Sequence, residues 1–281
     1  MLFSKRILVV LDERPNSQLA LMRARLIAEQ TGAELELIWN SEYAPWQGYE
    51  QQLVELEQSG CRWQKQYDPS SLVKRILRHW QQDHFALLVK GCDERHDGPS
   101  LLAPRDWQLL RETPCPVLLV KNPKRWHEGP ILAAVNPLDD KDSAVRHDQT
   151  VLMMASFIAS HSGSALHTVT ATEMPMMGAE PELQSLEVIE RRTRASLSAR
   201  LNGWQITPEH CHVGEGPPEH WIPTVAREVE AALVVIGTHA RGGLSGVLVG
   251  NTAEQILDRL DTDIMVLRPG LSEPLQPLLN A

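Results

Sequence analysis

The feature that most constrains the fold is an alternation of short apolar runs with amphipathic segments, which occurs twice along the 281 residues. The run Ile7 to Leu11 closes on Asp12, and 124 residues later the run Ile131 to Val135 closes on Asn136. Near the end of each half, matching residues of the two copies are 147 positions apart. With this spacing LLVK, which ends at Lys90, aligns with VVIG, and PVLLVK aligns with DIMVLR. Two tandem copies of one fold explain this pattern most simply.

The apolar runs do not alternate with polar residues, which predicts strands that are buried on both faces, as in a parallel sheet. Segments with apolar residues at helical spacing separate these runs, and strands alternating with helices predict a right-handed parallel α/β sheet. We predict strands at 7–11, 35–39, 62–66, 85–89, 117–120, 131–135, 165–170, 205–212, 233–236 and 264–267. The first main helix is predicted to begin at a cap over residues 15–17 and to end at Gly32. The others are predicted at 52–58, 70–82, 143–161, 182–201, 218–230 and 253–260.

The repeat also predicts the domain boundaries. Residues 1–122 form a first domain and residues 131–270 a second, with a tail at 271–281. Between the two domains, residues 123–130 are rich in proline and charge and are predicted to be a linker.

Composition narrows the function. The formal net charge is −9, from 36 acidic and 27 basic residues, so no basic surplus is available for nucleic acid. The four cysteines form no Cys-x-x-Cys motif, which is typical of free thiols in a reducing compartment. The apolar run near the start is too short for a signal-peptide core, and no run reaches the length of a membrane span. We therefore expect a cytoplasmic protein with neither nucleic acid nor a membrane span among its partners.

The segment Val234 to Arg268 carries the strongest functional signal. An apolar run ends at Gly237, a glycine-containing loop follows, and Gly250 precedes a helical segment and a second apolar run. Glycines let the backbone approach an anion closely, and the free N–H groups at a helix N-terminus point toward it. This order of elements predicts an anion-binding cradle.

The same segment resembles the universal stress protein family, whose nucleotide-binding members carry G-x2-G-x9-G followed by Ser or Thr. The matching positions here are Gly237, Ala240, Gly250, Asn251 and Thr252. The stretches PRDWQLLRETPCPVLLVK and GNTAEQILD look most like the tandem, E-type members of Gram-negative bacteria. The resemblance covers nearly the whole chain.

The resemblance implies two doubly wound five-stranded parallel sheets of the adenine nucleotide alpha hydrolase-like, Rossmann-like type, related by a pseudo-two-fold. It also implies pairing of the fifth strands, Val117 to Val120 and Ile264 to Leu267, in an intrachain pseudo-dimer that could associate further into a homodimer. An adenine nucleotide such as ATP is expected in the second domain, at the carboxyl ends of strands one, two and four. The nucleotide-binding candidates are Asn136, Pro137, Val169, Gly237, Ala240, Arg241, Gly250, Asn251 and Thr252.

Three of these positions depart from the family pattern. Asn136 stands where ATP-binding members usually have Asp, Ala240 replaces a glycine, and Asn251 replaces a serine. In the first domain the cradle positions become Lys90, Asp93, Ala103, Pro104 and Arg105, so every glycine is lost and Pro104 removes an N–H group. Nucleotide binding is therefore expected in the second domain alone.

The leading functional hypothesis is a non-enzymatic stress-response protein with a nucleotide or small-molecule site, and no catalytic residue is predicted. One alternative is a scaffold with an apolar, lipid-like ligand pocket near Met174, Met176 and Met177. A weak ATP-hydrolysing enzyme is the other alternative, with Asp139 and Asp140 as the candidate metal-holding carboxylates.

His210 and His212 would share one face of the predicted strand, but their spacing matches no common zinc pattern, so no metal is predicted. Cys92 lies close in sequence to Lys90 and Arg95, whose charges could activate a thiolate; an ordinary loop cysteine is the favoured reading.

Overall fold

The computed structural model describes residues 5–40, 48–66, 71–82, 84–92, 104–172, 185–238 and 251–268. The first half contains β1 Arg6–Leu11, α1 Pro15–Thr31, β2 Glu34–Trp39, α2 Glu50–Ser59, β3 Trp63–Gln66, α3 Leu72–Gln82, β4 Leu87–Gly91, α4 Pro104–Glu112 and β5 Val117–Val120. The second contains β6 Ile131–Ala134, α5 Asp142–Ser162, β7 Leu166–Thr172, α6 Leu186–Arg200, β8 Cys211–Glu215, α7 Pro218–Glu228, β9 Leu233–Gly237, α8 Asn251–Arg259 and β10 Asp263–Leu267.

The strands form one ten-stranded sheet in the order β3-β2-β1-β4-β5-β10-β9-β6-β7-β8. Each half has the same internal order, in which its first strand lies between its second and its fourth. Every pairing is parallel except β5 with β10, which is antiparallel and joins the halves. The predicted tandem, doubly wound α/β fold is confirmed.

Helices cover both faces of the sheet because the central strands are apolar on both sides. The side chains of α1, α2, α5 and α6 pack with one set of strand residues, and those of α3, α4, α7 and α8 with the other. Val9 and Val235 belong to the first cluster, whereas their neighbours Leu8 and Val234 belong to the second, as the alternation of side chains along a strand requires. Within the described ranges, no helix is long and apolar enough to cross a membrane.

The halves meet at a buried carboxylate at the start of β10. Asp263 is 0% exposed, and its Oδ2 accepts hydrogen bonds from Arg23 Nε at 2.8 Å and from the Trp126 indole at 2.9 Å. Its Oδ1 accepts from the backbone N–H groups of Lys121 at 2.9 Å and Asn122 at 3.1 Å. The Arg23 guanidinium also lies 5.1 Å from the Trp126 ring centroid. The segment after β5 is therefore packed against both halves through a short 3-10 helix, Trp126–Glu128.

The start of α1 differs from the prediction. No side chain caps the helix, which begins at Pro15 directly after Arg14. Proline is suited to the first helical position because its φ is already helical and its missing N–H would have no partner there. Ser17, which was predicted to contribute to the cap, instead accepts a hydrogen bond at Oγ from the backbone N–H of Asp12 at 2.8 Å.

The third strand of the second half begins later than predicted. Residues 208–210 form a 3-10 turn, and β8 runs over Cys211–Glu215, paired with β7 from Thr168 to Thr172. Pro208 lacks the N–H group that a continuous ladder needs, so the strand begins after it. The predicted strand at 205–212 is wrong at both ends.

Removing the Asp263 carboxylate tests its role in joining the halves. We expect Asp263→Ala to lower the free energy of unfolding by about 3–5 kcal/mol, because it leaves the buried Arg23 guanidinium and the Trp126 indole without an acceptor. Urea unfolding followed by circular dichroism measures the change.

The matched control is Arg111→Ala, which removes an exposed ion pair that also joins the halves, Arg111 to Glu254 at 2.7 Å. Its expected cost is about 0.2–1 kcal/mol. Equal losses for the two variants would contradict the role given to Asp263.

Candidate functional site

The second half contains an open crevice of about 840 Å³ at the carboxyl ends of β6, β7 and β9. The connections leave the sheet in opposite directions between β6 and β9, and such a switch point is the usual ligand site of an open α/β sheet. The volume is that of a small-molecule pocket. Its walls come from the loop after β6, from α5, α7 and α8, and from the end of β7.

The residues predicted at the ends of β6 and β7 differ in whether they line the crevice. Asn136 is exposed on the crevice wall, whereas Pro137 is buried beneath it. Val169 is fully buried inside the sheet, because β7 continues two residues beyond the predicted end at Thr170. Ala171 and Thr172 therefore line the crevice in its place.

Gly237 ends β9 on the crevice wall, and its lack of a side chain leaves room for the His147 ring. A Cβ atom built at this position would lie 2.2 Å from Nε2 of His147, on α5, so the glycine allows the helix to approach the strand. Thr252 is exposed in the first turn of α8. Three other predicted residues, Ala240, Arg241 and Gly250, lie outside the described residues, as does the side chain of Asn251.

A buried ion pair fixes the loop that carries Asn136. Oδ1 of Asp148 accepts a hydrogen bond from the backbone N–H of Asn136 at 3.2 Å, and its Oδ2 lies 2.7 Å from the Arg200 guanidinium. Arg200 also donates to the carbonyl oxygens of Pro137 at 3.4 Å and Asp139 at 3.2 Å. The pair of Asp148 with Arg200 was not predicted from the sequence. The local indication of it is a carboxylate on the apolar face of a long helix.

The two helix N-termini near the crevice differ in their capacity to bind an anion. Pro217 is the N-cap of α7 and Pro218 its first residue, so neither position offers an N–H group, and Glu219 adds a negative charge to the first turn. Near the start of α8 the acidic residue is Glu254, which is paired with Arg111. Of the two helix N-termini, that of α8 is therefore the better suited to an anion.

The equivalent region of the first half is occupied by its own side chains. Lys90, the counterpart of Gly237, is buried, and its Nζ lies 2.8 Å from both Asp106 Oδ1 and the Gly91 carbonyl oxygen. The Asp12 carboxylate accepts from the backbone N–H of Arg14 at 2.9 Å and is paired with the Arg14 guanidinium. The Lys90 side chain therefore lies at the position where the second half has Gly237; nucleotide binding by the second domain alone stays a prediction.

Three histidines form a cluster that differs from the predicted pair of His210 and His212 on one face of a strand. His210 belongs to the 3-10 turn, and His212 instead meets His167 on the neighbouring strand, with Nδ1 of His167 3.0 Å from Nε2 of His212. The His167 ring also stacks on His210, with centroids 4.1 Å apart. Burial, aided by the neighbouring His210 and His212, lowers the pKa of His167 to about 4, so its ring is neutral at pH 7.

Metal and thiol chemistry have little support in the described ranges. Within them, no three His, Cys, Asp or Glu side chains are grouped so that they could hold a metal ion. Cys92 is buried, and burial raises the pKa of its thiol, which favours the unreactive reading over a redox role.

The fold and the crevice together describe a tandem, doubly wound α/β protein with an open crevice in its second half. The sequence profile of the universal stress protein family matches residues 129–268, from the turn before β6 to the residue after β10. The chain belongs to the universal stress protein family.

Its relatives extend over both halves. The chain is 29% identical over 303 residues to the Universal stress protein E homolog of Haemophilus influenzae, covering 94% of this chain and 97% of that protein. It is 31% identical over 199 residues to Universal stress protein E of Escherichia coli K12, covering 65% of this chain and 60% of that protein. The resemblance to the E-type members is confirmed.

Solved structures agree on the fold. A functionally unknown protein from Pseudomonas aeruginosa PAO1 aligns with a TM-score of 0.81 and 31% identity, covering 99% of this chain and 96% of that one. A universal stress protein from Archaeoglobus fulgidus aligns with a TM-score of 0.64 and 17% identity, covering 95% of this chain and 99% of that one.

The histidine cluster predicts a loss of stability in acid. A histidine in the unfolded chain has a pKa of about 6.5, whereas that of His167 in the folded protein is about 4. Between these pH values the unfolded state binds more protons, so the free energy of unfolding decreases as the pH falls through the window, and this group adds no further loss below it.

Thermal unfolding of the protein and of His167→Phe between pH 7.5 and 4.5 tests this expectation. The phenylalanine keeps an aromatic ring in the stack but cannot titrate, so its melting temperature should fall less on acidification. His127→Phe, at an exposed histidine, is the control and should follow the unsubstituted protein. A parallel pH profile for His167→Phe would refute the assignment.

Proposed function

We propose that this protein is a non-enzymatic stress-response protein whose second-half crevice binds an adenine nucleotide or a related phosphate-bearing small molecule. The observation that carries the proposal is the open cavity of about 840 Å³ at the switch point beside Gly237. The equivalent position of the first half holds the buried ion pair of Lys90 with Asp106.

The crevice has distinct regions for the parts of a nucleotide. Asn136 and Thr172 are the polar side chains at the ends of β6 and β7, where a sugar or base would lie. The phosphates would lie beside Gly237 and the first turn of α8, which holds Asn251 and Thr252. The loop with Ala240, Arg241 and Gly250 belongs to this proposed phosphate site through the family motif.

Binding without turnover fits the carboxylates of the crevice. Asp148 is paired with Arg200 at 2.7 Å and accepts the Asn136 N–H, so its charge is already balanced. Asp139 Oδ1 accepts the backbone N–H of Lys141 at 3.2 Å, as is usual in a turn before a helix. These contacts give both carboxylates structural roles, which supports a binding protein over an ATP-hydrolysing enzyme.

A second candidate ligand is apolar. The crevice is also lined by Val135, Leu138, Ile222, Ile236 and Ile256, which could hold a lipid-like molecule without a phosphate group. The predicted methionines of this pocket, Met174, Met176 and Met177, lie outside the described residues.

We also propose how the chain is divided into domains and how these pair. The antiparallel pairing of β5 with β10 supports an intrachain pseudo-dimer of two domains, 1–122 and 131–270, joined by the linker 123–130 and followed by a tail at 271–281. A homodimer of such chains is part of the same proposal.

Calorimetric titration of the full chain with ATP, ADP and AMP tests the nucleotide site. We expect saturable binding at one site, reduced about tenfold by Asn136→Ala through the loss of a polar contact to the ligand. Asp140→Ala, at an exposed residue of the same loop, is the matched control and should bind as the unsubstituted protein does.

The outcomes separate the candidate functions. Absence of binding at millimolar nucleotide would refute the nucleotide site, and an apolar molecule recovered by native mass spectrometry would then favour the second candidate. ATP hydrolysis that is lost on alanine substitution of both Asp139 and Asp140 would establish the enzymatic alternative.

A further inference from the structure

A second cavity lies at the seam between the two halves. It has a volume of about 420 Å³ and lies between α1, the 3-10 helix at Trp126–Glu128 and the end of α5. None of its lining residues lines the second-half crevice. We call it the seam cleft, and it belongs to neither half alone.

The seam cleft has an apolar wall that is exposed to solvent. Met22 and Leu26 on α1 line it and are 38% and 41% exposed, although large apolar side chains gain free energy from burial. Phe157 on α5 faces them across the cleft, and the buried residues Ile27 and Ile158 complete the wall. A hydrocarbon or aromatic body placed there would remove this surface from water.

The charge of the cleft has a single sign. Its lining includes three arginines and two histidines, and no carboxylate is found among the described lining residues, although the protein carries a net charge of −9. A cationic site in an acidic protein favours an anionic ligand. The ionisable lining residues are Arg23, Arg25, Arg125, His127 and His161.

Two of the three arginines are already paired with carboxylates. Arg23 is paired with Asp263 at 2.8 Å, and Arg25 with Glu55 at 2.7 Å. Arg125 is exposed at the cleft, and no ion pair joins its guanidinium to a carboxylate of the described residues. The positive charge available to a ligand is therefore that of the Arg125 guanidinium; the backbone N–H of this residue donates to Oε2 of Glu128 at 2.9 Å.

From the apolar wall and the unneutralised arginine together, we propose that the seam cleft binds an amphipathic anion. The apolar body of the ligand packs against Met22, Leu26 and Phe157, and its carboxylate or phosphate group accepts hydrogen bonds from Arg125. The planar guanidinium group can bind two oxygen atoms of either group through parallel hydrogen bonds. The volume is within the range of small-molecule sites.

Occupancy of the seam cleft would act on both halves at once. Its walls come from α1 in the first half and α5 in the second, and its floor contains Trp126, which donates to Asp263 at 2.9 Å. A ligand that contacts all three elements binds the assembled seam and not the separated halves. It therefore stabilises their association by mass action.

The test uses the full chain with two probes, decanoate and decyl phosphate, each below its micelle concentration, and with the uncharged decanol for comparison. Calorimetric titration should show one saturable site for at least one anionic probe and at least tenfold weaker binding of decanol. Binding of decanoate alone identifies a carboxylate ligand, and binding of decyl phosphate alone identifies a phosphate ligand.

Three variants locate the site. Arg125→Ala should weaken binding of the anion about tenfold through the loss of a charge-assisted hydrogen bond, and Leu26→Glu should abolish it. Val54→Glu is the matched control, because Val54 is also a large exposed apolar residue, 49% exposed, but lies on α2 away from the cleft lining. Both Leu26 and Val54 are exposed, so neither substitution removes core packing.

Four results would overturn the proposal: the absence of binding by both anions, equal affinity for decanol, unchanged binding by Leu26→Glu, or loss of binding in Val54→Glu. Light scattering adds a further outcome. A dimer that dissociates on Leu26→Glu, without any anion binding by the original chain, would assign this surface to a second copy of the protein. Nucleotide titration of the same variants keeps the result separate from the second-half site.

Discussion

The arrangement of the whole molecule depends on one buried carboxylate. Asp263 begins the last strand of the second half, and its four hydrogen-bond donors lie on α1 and on the segment that follows β5. A buried carboxylate is tolerated only when it is paired and hydrogen-bonded, so the two halves are held in the one relative position that satisfies it. At an offset of 147 residues the first half has Pro116 in its place, which cannot take this role. The Asp263 carboxylate thus joins the two halves, and it has no counterpart at the equivalent position of the first half.

The two copies differ most at the end of their fourth strand. In the first half Lys90 reaches back to Asp106 and to a neighbouring carbonyl oxygen, which fills the space with protein. In the second half Gly237 has no side chain, which permits the close approach of His147 and leaves the crevice open. The two copies thus share their strand order but differ in the side chain at this strand end.

The sequence predicted most of the fold because its signals are local. Uniformly apolar runs and helical spacing depend on neighbouring residues alone, the repeat follows from the order of these segments, and Gly32 ends its helix as predicted. A crevice was predicted at the carboxyl ends of β6, β7 and β9 and the structure has one there, but the contacts that support it were not predicted. The pairing of Asp148 with Arg200 joins residues 52 positions apart, and His167 meets His212 only after two strands align in register. Such contacts are set by the tertiary structure.

Pairing β5 with β10 places β3 and β8 at the two edges of the ten-stranded sheet as the described residues form it. Both are short and polar: β3 reads WQKQ, with Lys65 exposed, and β8 reads CHVGE. Short edge strands with charged or polar side chains are poor templates for the addition of another strand. Extension of the sheet by a strand of another chain is therefore disfavoured at both edges. Copies of this protein would then meet through the helices that cover the faces of the sheet.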